Sequence, residues 1–81
     1  MPVRFGRQIQ VSEVIKQAIA QGCEIRTSQG QLATPWGMKH IRYLFKAADR
    51  GRYDITDYAD DEYMLESEIV AVERRLNINL S

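Results

Sequence analysis

Basic side chains are concentrated between residues 39 and 52, with a tyrosine among them. On the helix that we predict for this stretch they share one face, and such a face can grip the phosphates of a nucleic acid. A tyrosine in the patch adds a ring on which a base can stack. The residues of this predicted nucleic-acid surface are Lys39, Arg42, Tyr43, Lys46, Arg50 and Arg52.

Opposite charges occupy the two parts of the sequence. Residues 1–53 carry nine basic and three acidic residues, a net charge of +6, and residues 54–81 carry two basic and eight acidic residues, a net charge of −6. A short connector joins the two predicted helices of these parts, so we expect the helices to lie side by side as antiparallel neighbours. Their charges would then largely cancel. This favours a solvated, internally neutralised basic face over an open nucleic-acid groove.

Carboxylates between residues 54 and 62 are the obvious candidates for a cation site, since oxygen ligands suit divalent cations. They lack the alternating spacing and the sixth-position glycine of an EF-hand loop, and we interpret them as the acidic start of a helix. Cys23 and His40 are the one thiol and the one imidazole of the chain, and no orienting group or flanking motif accompanies them. We therefore predict no catalytic residue, no metal site and no cofactor.

A stripe of apolar residues follows the last predicted helix at spacings of four, three and four residues. The spacing is that of a coiled-coil seam, but the stripe lasts for less than two heptads. We favour burial in the core of one chain. A seam shared with a second copy is the alternative, because so short a chain builds only a small core. The residues of the stripe are Leu65, Ile69, Val72 and Leu76.

Local patterns position these residues on a small α+β fold. Thr34, Pro35 and Gly51 delimit the central helix as its N-cap, its first helical residue and its C-terminal glycine, and the apolar residues between them recur at helical spacing. Earlier in the chain, alternating residues predict a strand and a hairpin on either side of a short helix.

We predict one β-α-β-β-α-α domain over residues 1–81, with a short, mainly antiparallel sheet packed against helices and with the last two helices antiparallel. The predicted elements are a strand at 3–11, a helix at 13–21, a hairpin at 23–34, a helix at 35–50, a connector at 51–56, a helix at 58–76 and a tail at 77–81. A short strand within the connector is an alternative that the pattern leaves undecided.

The composition, 44% hydrophobic and 27% charged, is ordinary for a globular protein. One cysteine, no long apolar run and no apolar segment at the start predict a cytoplasmic protein. The predicted function is a small non-enzymatic protein-interaction or regulatory module that self-associates as a homodimer. The alternative is a nucleic-acid-binding domain that uses the basic face of the helix at 35–50. No membrane partner and no small-molecule substrate are predicted.

Overall fold

The structure is a computed structural model that describes residues 6–34 and 37–81, with the backbone alone for 28–34 and 37–39. It confirms a small α+β fold with a short antiparallel sheet and, in the described ranges, two helices. In chain order the elements are β1 (Ile9–Gln10), α1 (Val11–Ala20), β2 (Glu24–Thr34), β3 (Gly37–Lys46), β4 (Gly51–Asp54), β5 (Tyr63–Met64) and α2 (Glu66–Leu76). β2, β3 and β4 form one antiparallel sheet in that order, and β1 pairs with β5.

The predicted helix at 35–50 is wrong, because Gly37–Lys46 form the central strand of the sheet. Residues 41–46 alternate β-branched or aromatic side chains with Arg42, Leu44 and Lys46, and such residues favour strands. The same letters also satisfy a helical period, so the pattern alone does not choose between the two. Pairing with β2 on one side and β4 on the other gives the backbone its partners and decides for the strand.

Two further expectations change with this strand. The predicted antiparallel pairing of the helices at 35–50 and 58–76 is not confirmed, since Gly37–Lys46 form a strand. The predicted start of the central helix at Pro35 and Trp36 lies outside the described residues. The hairpin predicted at 23–34 is also wrong, because Glu24–Thr34 form one strand, β2, with a register irregularity between Thr27 and Gln31.

The remaining boundaries differ by smaller amounts. The described part of the strand predicted at 3–11 is Ile9–Gln10, while residues 3–5 lie outside the described ranges. Helix α1 begins two residues before the helix predicted at 13–21 and ends one residue earlier. The connector predicted at 51–56 contains β4.

The helix predicted at 58–76 is shorter, because α2 starts at Glu66. Two backbone carbonyl groups that precede α2 accept hydrogen bonds from α1. Glu62 O accepts from Val11 N at 2.7 Å and Asp60 O accepts from Ser12 N at 3.0 Å. These bonds satisfy two of the N–H groups that the first turn of α1 cannot bond internally.

Both helices pack on one face of the β2–β3–β4 sheet. One core cluster includes Leu44 of β3 together with the buried residues of α1 and α2, and Tyr53 of β4 packs against it. The end of α2 comes so close to β4 that a Cβ placed at Gly51 would overlap the carbonyl oxygen of Arg75. The fully buried helix residues are Val11, Val14, Ala18, Ile69, Val72 and Leu76.

The tail after α2 returns along α1. Asn77, with φ 52°, ends the helix in the left-handed conformation, and Ile78 and Leu80 are buried. The side-chain amides of Gln17, on α1, and of Gln21, which follows the last residue of α1, then bond the tail backbone. Gln17 bonds N and O of Ser81, both at 2.9 Å, and Gln21 bonds N and O of Asn79 at 3.0 and 2.6 Å.

Arg7 joins the start of the described chain to α2 and to the tail. Its Nη2 lies 2.5 Å from Glu66 Oε2, and its Nη1 donates to Glu73 Oε2 and to Leu80 O, both at 2.9 Å. These bonds raise the pKa of the Arg7 guanidinium and lower that of the Glu73 carboxyl. These bonds of Arg7 link elements that are distant in sequence, and we call Arg7, Glu66 and Glu73 the clamp.

Candidate interaction surface

The face of the β2–β3–β4 sheet opposite the helices carries aromatic side chains. Side chains alternate across a strand, and Leu44 points into the core. Ile41, Tyr43 and Phe45 therefore project from the other face, where they are half-buried and outside the core cluster. Residues directly opposite these on β2 and β4 lie on the same face. We call this surface the open face; its residues are Glu24, Arg26, Ile41, Tyr43, Phe45, Arg52 and Asp54.

Two arginines lie over the aromatic rings of the open face. Arg26 of β2 is directly opposite Tyr43, yet its guanidinium carbon lies 4.0 Å from the centroid of the Phe45 ring. Arg52 of β4 is opposite Phe45, and its guanidinium carbon lies 5.0 Å from the centroid of the Tyr43 ring. Each arginine thus reaches diagonally to a ring two residues along β3. Aromatic and arginine side chains are the types enriched at the centres of protein interfaces.

Strand β2 forms one edge of the sheet, since the strand order β2-β3-β4 leaves its outer side without a neighbouring strand in the described chain. Its side chains from Glu24 to Thr27 are all exposed, with Ile25 at 40%. The backbone groups of an edge strand are a template on which another strand can pair. We call residues 24–27 the open edge.

Charges on the open edge alternate with an apolar residue. Glu24 lies opposite Phe45 and Arg26 lies opposite Tyr43, so both charged side chains share the open face. Ile25 lies opposite Leu44 and faces the helix side. Arg26 Nε donates to Glu24 Oε1 at 2.6 Å, and this bond is the main cause of the raised pKa of Arg26.

Two residues of the predicted nucleic-acid surface are engaged on the helix side of the sheet. Arg42 Nη2 donates to Tyr58 O at 2.7 Å and to Asp60 Oδ1 at 2.9 Å. Lys46 Nζ donates to Asn77 O at 2.9 Å. These side chains stabilise the loop before β5 and the start of the tail, and they do not form a common patch with the open face.

The other four residues of that predicted surface are also divided. Tyr43 and Arg52 meet on the open face. Arg50 is exposed in the turn between β3 and β4, with φ 53°. Lys39 lies in β3 opposite Leu32, and its side chain is outside the described part. The single basic helix face is therefore wrong, because alternation on a strand separates residues that a helix would align.

The predicted apolar stripe lies mainly in the core of the single chain. Ile69, Val72 and Leu76 are fully buried. Leu65 is 53% exposed and occupies the N-cap position of α2. Its N–H donates to Glu68 Oε1 at 2.9 Å. Three of the four residues are thus unavailable to a second copy in this fold.

Sequence reasoning missed the residues that the sheet brings together, namely Ile25, Arg26 and Phe45. The helix predicted at 35–50 places Phe45 on its apolar face, away from Tyr43 on the basic face. The available signal was the alternation of Ile41, Tyr43 and Phe45 in the central stretch. A strand prediction there would have placed all three on one face.

The residues that the structure describes also bear on metal binding and on membrane insertion. No group of three or more His, Cys, Asp or Glu side chains that could hold a metal ion occurs there. None of the described helices has both the length and the hydropathy to cross a bilayer. No protein-family model, no curated protein and no solved structure matches this chain.

Proposed function

We propose that this chain is a non-enzymatic protein-interaction module that self-associates through its β2–β3–β4 sheet. The observation that carries the proposal is the open edge, where four consecutive exposed side chains lie on the outermost strand. A second copy can add its own β2 there by main-chain hydrogen bonds, which extends the sheet across a two-fold axis. The open faces of the two copies would then form one continuous surface.

The charge balance of the open face supports a protein partner over a nucleic acid. Arg26 and Arg52 share this face with two carboxylates, Glu24 and Asp54. The four groups carry no net charge. Affinity for nucleic acid depends on uncompensated positive charge. Protein interfaces, in contrast, commonly combine aromatic side chains at the centre with polar residues at the rim.

Light scattering after size exclusion, over a range of protein concentrations, tests the proposal. We expect a dimer for the native sequence and a shift to monomer for Ile25→Lys, because the substitution places a charge at the open edge. Ile19→Lys is the matched control, since Ile19 is an isoleucine of α1 that is 51% exposed and does not belong to the sheet. A native chain that stays monomeric throughout the micromolar range would refute self-association.

A second candidate function is binding of single-stranded nucleic acid on the open face. Tyr43 and Phe45 stand two residues apart on the central strand with guanidinium groups over their rings. Aromatic side chains on an antiparallel sheet can stack successive bases. Of the predicted nucleic-acid contacts, Tyr43 and Arg52 lie on this face.

Fluorescence anisotropy with a labelled single-stranded oligonucleotide at two salt concentrations separates the two candidates. Our proposal expects no salt-dependent binding at low salt. Binding that is lost in Tyr43→Ser combined with Phe45→Ser would favour the second candidate. Tyr63→Ser, which changes an exposed tyrosine of β5, is the matched control.

We further propose a cytoplasmic location, which the state of Cys23 supports. Cys23 is a free, buried cysteine, and burial raises the pKa of its thiol. A thiol of this kind is unreactive at neutral pH. A chain without a disulfide framework is also usual in a reducing compartment.

A further inference from the structure

The open edge carries a charge pattern that is complementary to itself, and we infer from it the register in which two copies pair. Glu24 and Arg26 project from one side of β2, with Ile25 between them on the other side. When two identical antiparallel strands meet at a two-fold axis, the residue before the axis lies opposite the residue after it. An axis at Ile25 therefore places Glu24 of each copy opposite Arg26 of the other. This register rests on the proposed self-association.

Neighbouring registers are disfavoured by the same charges. An axis at Glu24 sets two glutamates against each other, and an axis at Arg26 sets two arginines against each other. Like charges directly opposite each other destabilise an antiparallel pair. An axis at Thr27 gives neither residue an opposite charge, because Arg26 then faces Ser28 and Glu24 faces Gly30. Only the axis at Ile25 matches both charged residues at once.

The helix side of the strand supports the same axis. Ile25 is 40% exposed although it lies on the side of the buried Leu44. With the axis at Ile25, the two isoleucines lie opposite each other and cover this exposed apolar surface. Removing the apolar surface of both isoleucines from water favours this pairing. One register thus satisfies the charges on the open face and the apolar residue on the other.

The open face becomes an ordered surface in this dimer. Across the six strands, Arg52, Phe45 and Glu24 of one copy are followed by Arg26, Tyr43 and Asp54 of the second copy. The two-fold axis generates the same row in the opposite direction. Each row repeats a cation, a ring and a carboxylate, so each row carries no net charge.

Reversing the charge of Glu24 or of Arg26 tests the register. Glu24→Arg and Arg26→Glu each place like charges opposite each other, and we expect each variant to weaken the dimer by about tenfold or more. An equimolar mixture of the two variants is expected to form a heterodimer, because the two arginines of one copy then lie opposite the two glutamates of the other. The double variant Glu24→Arg with Arg26→Glu restores opposite charges and is expected to dimerise as the native chain does. Circular dichroism checks that each variant is folded.

Cysteine cross-linking gives an independent measurement. Ile25→Cys places one thiol at the axis in each copy, and residues directly opposite in an antiparallel pair approach closely enough for a disulfide. We expect a covalent dimer on mild oxidation with glutathione disulfide. Ser12→Cys, an exposed position on α1, is the control and is expected to give little cross-linking.

The outcomes separate the register from the function. A native dimer that the charge variants leave intact, or whose single variants fail to recombine, overturns the register while self-association stands. A native chain that is monomeric at every concentration overturns both. Heterodimer formation together with cross-linking at position 25 establishes the inferred register.

Discussion

The two faces of strand β3 hold similar side chains in different ways. On the helix side, Leu44 is fully buried, and Arg42 and Lys46 beside it are bonded to backbone carbonyls of the loop and the tail. On the open face, Tyr43 and Phe45 are half-buried, and arginines from neighbouring strands lie over their rings. Side chains on the helix side therefore stabilise contacts between parts of the chain that are distant in sequence. We expect substitutions on the open face to affect folding less, because its side chains lie outside the core cluster.

The largest difference between the faces is expected for truncation of adjacent residues. Leu44→Ala should lower the free energy of unfolding by about 2–5 kcal/mol, since it removes a buried side chain and leaves a cavity. Phe45→Ala should cost less, about 1–2 kcal/mol, because its ring is only partly buried and lies outside the core cluster. Urea unfolding followed by circular dichroism measures both. Equal losses would show that the open face belongs to the core.

A smaller effect is expected where the helix side meets the turn between β3 and β4. Gly51→Ala should destabilise the fold by about 1–3 kcal/mol, because the added methyl group overlaps the backbone of Arg75. Arg50→Gly is the matched control in the same turn. Arg50 has a left-handed φ that glycine adopts freely, so this variant should be neutral or more stable by up to about 1 kcal/mol. Comparable destabilisation by both variants would contradict the close approach of α2.

Acidification is expected to weaken the clamp on the helix side. Arg7 lowers the pKa of Glu73 below its ordinary value of 4.5. A depressed folded-state pKa stabilises the protein above the unfolded-state value, and this stability is lost as the pH falls through the folded-state value. Glu73→Gln should therefore be less stable than the native chain at neutral pH, and the difference should shrink below about pH 4. Chemical unfolding at several pH values measures it, and a difference independent of pH would exclude this role for Arg7.

The smallest effect is expected on the open face itself. Arg52→Gln removes an exposed guanidinium group from the Tyr43 ring and should change the free energy of unfolding by about 0.5 kcal/mol or less. The same chemical change at Arg42 removes its bonds to Tyr58 O and Asp60, and should be the more destabilising of the two. Thermal unfolding of both variants makes the comparison. A larger loss at Arg52 would reverse our assignment of the two faces.

The sequence predicted helices correctly where the apolar residues fit the helical period and not the strand period. The apolar residues of α1 and of α2 recur at helical spacing, and α1 lies within two residues of its predicted bounds. The stretch at 41–46 fits both a helix and a strand, because Ile41, Leu44 and Phe45 satisfy the first while Ile41, Tyr43 and Phe45 satisfy the second. The incorrect choice there also misplaced the predicted binding surface. Local signals at Thr34, Pro35 and Gly51 supported the helix, but none of them reports pairing partners.

By itself, the sequence determined a small α+β fold, a segregation of charge between two parts of the chain, and the apolar residues of the helices. The tertiary structure decided that residues 37–46 are a strand, which basic residues are engaged within the chain, and that Glu24, Ile25 and Arg26 lie at an open edge. The physical reason is that a strand is stabilised by partners distant in sequence. The side on which each residue of β3 lies therefore becomes fixed only when β2 and β4 pair with it.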